Sequence, residues 1–436
     1  MGVRGLVVGV HVGLAAVHVY WATGATWPAP DERALSIAVL GGPVSFSPGV
    51  VLPLAALHLM LAAAVLTSER LKVSRLVVAG VAGGLAARTT AGIVWACGVG
   101  TETSTAFYWL NLLVYTPLCI ALCLADLSLL RTRWIKTVTV AVPAVGVVLL
   151  SLVAYAYQPT VQPSAAPSAD SRHVDTPLAR IHYLQRGTGS PVVLLSPGAA
   201  PASAWSTELD DLARTHTVYV VDLPGQGETQ LHDDRFTFDL AGMTTSLGQF
   251  LDALELRQVV LGGNSWSGGW GLAYAQRNPD RVSKLLLLAP SGLDERDVWS
   301  WEILKQPLVG EALAKLAANR SMVDSAVRGM FVHKDLVTST LVDSMWVPGT
   351  YRDNVRSMYA LERGLDWSVT ERALPSTRQP TLVIWGDQDT VLPVAQAARF
   401  GKLLPNATVR ILPGCGHALT VDCADQVTPL LSDFLR

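Results

Sequence analysis

The stretch GGNSWSGGW, residues 262–270, places two serines among glycines. A nucleophilic serine is held on a tight turn between a strand and a helix, where the residues two positions before and after it must be small. With Ser265 as the nucleophile, the apolar run VVLGG leads directly into the turn, and Gly263 and Ser267 occupy those two positions. With Ser267 as the nucleophile, the strand would stop two residues too early. We therefore predict that Ser265 is the nucleophile and that Ser267 is a tolerated small residue.

A serine hydroxyl becomes a nucleophile only when a base removes its proton and a third group orients that base. Downstream, the sequence GCGHAL offers His417 as the base, flanked by glycine just past an apolar run. The sequence GDQD offers two carboxylates, Asp387 and Asp389, as the orienting acid. The chain order of serine, acid and base predicts a Ser-Asp-His arrangement in which either carboxylate could take part.

Short apolar runs rich in valine, leucine and isoleucine surround these residues. Helical stretches such as FDLAGMTTSLGQFLDALEL separate the runs. Strands that are buried on both faces and alternate with helices are typical of a parallel α/β sheet. The predicted strands are residues 191–196, 215–223, 257–264, 284–290 and 380–386.

Four motifs in this order make residues 175–436 resemble the α/β-hydrolase superfamily. They are the loop after PVVLL, DLPGQGET at 222–229, the serine turn, and the pair GDQD and GCGH. The resemblance implies a mostly parallel sheet with a helical cap over the active site. It also implies that Ser265 is the nucleophile, His417 the base and the second carboxylate, Asp389, the orienting acid.

The resemblance further implies an oxyanion hole built from two backbone N–H groups. One belongs to Trp266, which follows the nucleophile. The other belongs to the loop at 196–198, where the family has His-Gly-x and this chain has Ser-Pro-Gly. Proline has no N–H, so the donor is expected at Gly198, with Ala199 as the alternative. Asp222 is expected to stabilise a turn rather than to take part in catalysis.

The cap is expected at about 294–375, between two predicted strands. It is rich in aromatic residues and methionine, most of which we expect in the core of the cap and some in an apolar substrate pocket. These residues are Trp299, Trp301, Met322, Met330, Phe331, Met345, Trp346, Tyr351, Met358 and Trp367.

The composition is unusually apolar for a soluble protein. Of 436 residues, half are hydrophobic and 16% are charged, and the net charge of −2 gives no electrostatic reason to expect a nucleic-acid partner. We find no zinc-type Cys/His spacing and no phosphate-binding glycine loop, so no metal and no cofactor is predicted. The two halves of the chain nevertheless differ, because the apolar residues are concentrated at the start.

Five segments in the first third are long enough to cross a bilayer, which takes roughly 17–25 residues of helix. We expect a membrane domain over 1–157, a Pro/Ala/Ser linker over 158–173 and the α/β domain over 174–436. The sequence HVYWATG also resembles a small integral-membrane family of unknown function. The predicted spans are 5–23, 49–66, 76–98, 107–125 and 137–157.

Basic residues concentrate in the loops after the second and fourth spans. Cytoplasmic loops collect positive charge, so we expect a multi-pass cell-membrane protein with a cytoplasmic N-terminus and an extracytoplasmic hydrolase domain. The opposite loops hold only Arg33. The basic residues of the two cytoplasmic loops are Arg70, Lys72, Arg75, Arg131, Arg133 and Lys136.

Two cysteines near the C-terminus, Cys415 and Cys423, stand eight residues apart. A disulfide between them requires an oxidising compartment. The sequence leaves their state open, with unpaired thiols favoured because spacing alone does not establish the geometry of a disulfide.

The function that these features favour is a membrane-anchored serine hydrolase that cleaves a carboxylic ester of small to medium, apolar character. Its partners would be that substrate and the lipid bilayer. Carbon–carbon bond hydrolase, aminopeptidase, thioesterase and cofactor-free haloperoxidase remain open, because they share the triad. A different class of function, a membrane transporter or sensor with the hydrolase domain as its binding module, is the alternative.

Overall fold

The computed structural model of the chain forms two compact units. The first comprises Met1–Tyr157 with Lys305–Leu313, and the second Gln158–Leu304 with Ala314–Arg436. The structure describes residues 2–41, 44–99, 103–130, 132–164, 166–295 and 299–436, without the side chains of Trp299 and Ser300. Arg131 and part of the predicted cap, residues 296–298, therefore lie outside the described residues.

Among its described residues, the first unit contains five helices that are long and apolar enough to cross a membrane. Each covers most of a predicted span. A continuous apolar run of this length favours a helix, because a helix satisfies its backbone hydrogen bonds internally even where no water is available. The shorter helix Glu32–Leu40, which begins at an Asp31 cap, was not predicted. The five helices are Val3–Ala22, Pro48–Thr67, Lys72–Ala96, Ala106–Leu129 and Arg133–Ala156.

A few polar side chains join these helices. Arg88 donates to the side-chain oxygen of Asn111 at 3.0 Å, and the Asn111 amide donates to the carbonyl of Gly92 at 2.9 Å. His11 and His58 contact each other through their Nδ1 atoms at 3.1 Å. Polar groups inside a membrane domain are costly unless they find partners, and these pairs provide them between neighbouring helices.

The second unit is built on a sheet with the strand order β1-β2-β4-β3-β6-β7-β8-β9, in which β5 pairs with β2. From β4 to β9 along this order all neighbouring strands are parallel, as predicted, whereas β1, β2 and β5 pair antiparallel. The strands are β1 Ser171–Asp175, β2 Ala179–Arg186, β3 Ser190–Leu195, β4 His216–Val221, β5 Gln230–Leu231, β6 Val259–Asn264, β7 Val282–Leu288, β8 Thr381–Gly386 and β9 Ala407–Leu412.

The central strands are buried because helices cover the sheet and form one core with it. Leu194 in β3, Leu286 in β7 and Val383 in β8 are fully buried in this core. Continuous apolar runs suit strands in this position, since both faces of each strand leave water. The main helices that cover the sheet are Ser206–Leu212, Leu240–Ala253, Trp266–Arg277, Ala395–Leu403 and Ala424–Leu435.

Helices fill the connection between β7 and β8, where the cap was predicted. Those in the second unit lie close to the carboxyl ends of the parallel strands and border the cavity described below. They are Arg320–Met330, Ser339–Gly349, Arg352–Gly364 and Trp367–Ala373, and the same connection holds Trp299–Glu302 and Val309–Ala317.

The structure corrects one expectation of the sequence. Cys415 and Cys423 form a disulfide, with their Cα atoms 5.9 Å apart. The expectation of unpaired thiols was wrong, because the turn after β9 and the short helix Leu419–Asp422 bring the two cysteines together within eight residues.

Candidate active site

Ser265 lies at the turn between β6, which ends at Asn264, and the helix Trp266–Arg277. Its backbone has φ 62° and ψ −130°, a strained conformation for a residue with a side chain. The Ser265 N–H donates to the carbonyl of Leu288 at 2.9 Å. A Cβ on Gly263 would lie 2.5 Å from the backbone of Ser267, so the turn requires glycine two residues before Ser265. This is the geometry that presents a serine hydroxyl at the end of a sheet.

Ser267 has a different environment from Ser265. It is fully buried, its hydroxyl donates to the carbonyl of Asn264 at 2.9 Å, and the same oxygen accepts from the Asn264 N–H at 3.1 Å. Ser265 borders a large cavity, whereas Ser267 is not among the residues that line it. The Ser267 hydroxyl therefore closes the turn and also lies 3.2 Å from the Leu195 carbonyl at the end of β3, and Ser265 is the serine that a substrate could reach.

His417 and Asp389 form a buried pair. The Nδ1 of His417 lies 2.7 Å from the Oδ2 of Asp389, and the two side chains are 5% and 0% exposed. The other oxygen of Asp389 accepts from the N–H groups of Val391 and Leu392 at 2.8 and 2.9 Å, which fixes the carboxylate. Asp387 instead accepts from the Gly414 N–H at 2.8 Å. Of the two carboxylates in GDQD, the second is the one that orients the histidine.

Ser265 and His417 line the same cavity. Among the residues that the structure describes, the Ser265 hydroxyl has no hydrogen-bond partner. In enzymes without substrate the contact between nucleophile and base is often long and shortens when substrate binds. The fold thus brings the serine to the cavity that His417 also borders, although 152 positions separate Ser265 from His417 in the sequence.

Three contacts hold the loop that carries His417. The Cys415–Cys423 disulfide closes it, and the Met330 carbonyl accepts from the His417 N–H at 2.9 Å. The buried Asp422 carboxylate accepts from the Gly416 N–H at 2.7 Å and also from backbone N–H groups at the end of the helix Arg320–Met330. Asp422 was not predicted, because one carboxylate beside a cysteine forms no recognisable motif.

The two predicted oxyanion donors also border the cavity. Trp266 begins the helix Trp266–Arg277, whose amino end carries partial positive charge. A Cβ on Gly198 would lie 2.8 Å from the Trp266 ring, so the loop after β3 approaches the serine turn closely. Ala199, the alternative donor, has φ 60° and lines the cavity as well.

Asp222 belongs to a buried network behind this loop. It accepts from the Ser196 hydroxyl at 2.5 Å and pairs with the Nδ1 of His182 at 2.7 Å. Burial lowers the pKa of His182, but the hydrogen bond and the charge of Asp222 outweigh burial and leave that pKa above its ordinary value of 6.5. Asp222 does not line the cavity. Its contacts join β2 to the loop after β3.

The cavity has a volume of about 580 Å³ and is lined mainly by apolar side chains. Among the described residues that line it there is no lysine or arginine, and two acids, Glu295 and Glu362, are present. More of the predicted cap residues line this cavity than expected, whereas Phe331, Trp346 and Tyr351 do not. The lining includes Trp301, Met322, Met330, Met345, Met358 and Trp367.

Two family models match the chain. Residues 191–422 match a family described as alpha/beta hydrolase fold. Residues 11–126 match a family described as protein of unknown function (DUF3995). The first match spans the serine turn and both members of the Asp389–His417 pair, and the second spans four of the five long helices.

Similar proteins match the second half of the chain. The 2-hydroxy-6-oxo-2,4-heptadienoate hydrolase of Pseudomonas putida is 28% identical over 57% of this chain and 90% of its own length. A meta-cleavage product hydrolase from Pseudomonas fluorescens superposes with a TM-score of 0.54 at 20% identity, covering 61% of this chain and 97% of that one. A carboxylesterase from Bacillus subtilis superposes with a TM-score of 0.54 at 19% identity, covering 62% and 92%. The two structural similarities concern the fold.

Proposed function

We propose that this chain, which belongs to the α/β-hydrolase fold family, is a membrane-anchored serine hydrolase that cleaves a neutral, apolar carboxylic ester. The observation that carries the proposal is the position of Ser265, on a strained turn at the edge of an apolar cavity that His417, paired with Asp389, also borders. A nucleophile, a base with its orienting acid and a pocket for the substrate are the parts that acyl transfer requires.

In this mechanism, the Ser265 oxygen attacks the ester carbonyl while His417 takes the hydroxyl proton on Nε2. Asp389 stabilises the imidazolium through Nδ1, and the N–H groups of Trp266 and Gly198 stabilise the oxyanion. The C–O bond then breaks and the alcohol leaves with the proton from His417. A water molecule, deprotonated by His417, attacks the acyl-enzyme and releases the carboxylic acid and the free Ser265 hydroxyl.

The charge of the cavity supports a neutral substrate. The dienoate named for the Pseudomonas putida relative carries a carboxylate. A buried carboxylate needs a cation or several hydrogen-bond donors. Among its described residues this cavity has no lysine or arginine in its lining to pair with a substrate carboxylate. We therefore favour ester hydrolysis over carbon–carbon bond hydrolysis of an anionic substrate.

Activity-based labelling tests the proposal. The full-length protein in detergent should react with a fluorophosphonate probe, and Ser265→Ala should not. Folded wild-type protein that fails to react, or a Ser265→Ala variant that reacts equally, would refute the serine-hydrolase assignment.

A substrate panel then tests the substrate class. We expect p-nitrophenyl esters of neutral alkyl acids to be hydrolysed with an optimum chain length set by the cavity. Matched half-esters of dicarboxylic acids, which add a carboxylate to the same chain, should be poor substrates. Efficient cleavage of the half-esters or of a 2-hydroxy-6-oxo-dienoate would overturn the neutral-substrate assignment.

We propose, on the distribution of lysine and arginine between the loops, that the N-terminus is cytoplasmic and the hydrolase domain extracytoplasmic. The Cys415–Cys423 disulfide supports this orientation, since disulfides persist outside the cytoplasm. Alkaline phosphatase, which is active only after export, should be active when fused after Arg436 and inactive when fused after Ser68. The reverse pattern would refute the orientation.

A further inference from the structure

Gln226, in the motif DLPGQGET, is buried and makes three side-chain hydrogen bonds. Its Nε2 donates to the carbonyl of Ser196 at 2.8 Å and to the carbonyl of Pro197 at 2.7 Å. Its Oε1 accepts from the Leu223 N–H at 3.1 Å. The side chain is 1% exposed and is not among the residues that line the cavity.

These contacts fix the orientation of the Gln226 amide. Two of its neighbours are carbonyl oxygens, which only accept, and the third is an N–H group, which only donates. A flipped amide would face both carbonyls with its own oxygen and would lose all three hydrogen bonds. Gln226 therefore holds two successive peptide groups of the loop after β3 in a single orientation.

One of these two groups contains the predicted oxyanion donor. The peptide bond between Pro197 and Gly198 is trans, so its carbonyl and its N–H point in opposite directions. The Pro197 carbonyl is bound by the buried Gln226, which does not line the cavity, and Gly198 itself borders the cavity. Fixing the carbonyl at one end of this rigid plane thus fixes the direction of the Gly198 N–H at the other.

We propose that Gln226 is a positioning residue for the oxyanion hole, one that aims the Gly198 N–H by anchoring the Pro197 carbonyl. The inference rests on the proposed serine-hydrolase function, since it assigns a role within the same site. A second buried contact, from the Ser196 hydroxyl to Asp222, holds the residue before Pro197. The Pro197 carbonyl also accepts from the Ala200 N–H at 3.0 Å within the same loop, and Gln226 is the side chain that ties this peptide to the rest of the domain. Gln226 and the Ser-Pro-Gly loop thus act together to position the Gly198 N–H.

The test compares two variants that each remove one buried amide. Gln226→Met keeps the length of the side chain and removes its donor. Asn354→Leu is the matched control, because the Asn354 amide also donates to two carbonyls, those of Gly227 and Pro348, at 2.9 Å each, and Asn354 does not line the cavity. Both variants lose buried hydrogen bonds, but only Gln226→Met removes a hydrogen bond to the Pro197–Gly198 peptide and leaves it held by the Ala200 N–H alone.

We expect Gln226→Met to lower kcat for a p-nitrophenyl ester about 10- to 100-fold, less than the loss of an oxyanion donor itself, with KM within about threefold of wild type. Affinity for an alkylboronic acid, which forms a tetrahedral adduct with serine, should fall about tenfold or more. Affinity for an unreactive ether of the same alkyl chain should not change. Asn354→Leu should lower Tm while leaving kcat and boronate affinity within about threefold.

Equal kcat and boronate affinity in Gln226→Met and wild type would overturn the proposal. An equal loss of boronate and ether affinity would overturn it too, because a general distortion of the pocket weakens both. If Gln226→Met does not fold, Gln226→Asn, which keeps the amide on a shorter side chain, is measured in the same way. Failure of the underlying function is distinguishable, since wild-type protein would then bind no boronate and react with no fluorophosphonate.

Discussion

Two histidines of the hydrolase domain are paired with aspartate in nearly the same way. In each pair the histidine Nδ1 lies 2.7 Å from a carboxylate Oδ2, for His417 with Asp389 and for His182 with Asp222. All four side chains are buried. The second pair even has a serine, since the Ser171 hydroxyl lies 3.0 Å from the Nε2 of His182. By distances alone, Ser171, His182 and Asp222 are the more complete triad.

The difference lies in what surrounds each serine. Ser171 is in β1, in the antiparallel part of the sheet, where it pairs with Leu184, and it does not border the cavity. Ser265 is on a strained turn that opens on the cavity, next to the amino end of a helix. A Ser-His-Asp geometry therefore becomes a candidate for catalysis only with an exposed nucleophile, an oxyanion site and room for a substrate. The network around His182 stabilises the sheet.

The largest expected effect is the difference in esterase activity between alanine variants of Ser265 and Ser171. Ser265→Ala should lower esterase activity roughly 10⁵-fold or more, because it removes the nucleophile. Ser171→Ala should leave activity within about twofold of wild type, since it removes one hydrogen bond at the edge of the sheet. Ester hydrolysis and fluorophosphonate labelling of both variants measure this. A comparable loss in Ser171→Ala would contradict the distinction between the two networks.

The second-largest expected effect is the difference in kcat between asparagine variants of Asp389 and Asp222. Asp389→Asn should lower kcat about 10⁴-fold, because the histidine loses its oriented tautomer. Asp222→Asn should leave kcat within about tenfold but lower the free energy of unfolding by about 3 kcal/mol, the cost of breaking a buried pair. Asp387→Asn is the control within the same turn and should change kcat only a few-fold. Steady-state kinetics and urea unfolding report both quantities, and a large kcat loss in Asp222→Asn would refute the assignment.

Another buried carboxylate, that of Glu208, differs from those of Asp389 and Asp222 because neither of its oxygens contacts a histidine. Its Oε1 accepts from Thr428 at 3.4 Å, and its Oε2 has no partner among the described residues. Burial raises the pKa of Glu208 to about 8 from 4.5. Below pH 4.5 the carboxyl is protonated in both the folded and unfolded chain, and between pH 4.5 and 8 ionisation favours the unfolded chain, so the folded state loses stability as pH rises.

Glu208→Gln should therefore stabilise the protein by roughly 3 kcal/mol at pH 7, at 1.36 kcal/mol for each unit of pKa difference. The gain should disappear near pH 4.5. Thermal unfolding of wild type and variant across this range measures it, with Asp210→Asn on the exposed side of the same helix as the control. A gain that is independent of pH would show that ionisation of Glu208 is not its cause.

The smallest effect concerns the pH dependence of the His182 pair. Because the folded-state pKa of His182 is raised, its imidazolium stabilises the fold fully below pH 6.5, and this contribution is lost as pH rises through the raised pKa. His182→Asn should therefore lower Tm by a few degrees more at pH 6 than at pH 9. An equal or larger difference at pH 9 would contradict the sign of the shift.

Much of the fold was predictable because its parts have strong local patterns. The five long N-terminal helices and the parallel strands are continuous apolar runs, and the serine turn has small residues at fixed positions. Strands β1 and β2 were not predicted, since SRHVD and ARIHYLQR mix charged and apolar residues as strands near a sheet edge do. The helix Glu32–Leu40 was not predicted because it is short and only partly apolar.

The contacts that complete the site depend on tertiary structure. Gln226 lies in the motif DLPGQGET. Its hydrogen bonds to the loop after β3 nevertheless form only when β3 and β4 are side by side in the sheet. The hydrogen bonds of Asp422 to the Val332 and His333 N–H groups likewise join segments that are far apart in the sequence. The residue types of the site could be predicted from spacing, whereas the groups that hold them could not, because no local pattern marks a partner thirty or ninety positions away.

Four methionines, Met322, Met330, Met345 and Met358, line the cavity. A thioether side chain is unbranched and changes rotamer at little cost, so its end can shift by an ångström or more while the backbone stays in place. A cavity lined by such side chains adapts its shape to the bound substrate and therefore discriminates weakly between alkyl groups of similar size. The proposed esterase should accordingly accept branched acyl chains and show a broad rather than a sharp optimum of chain length, and its selectivity should come from the absence of charge in the substrate.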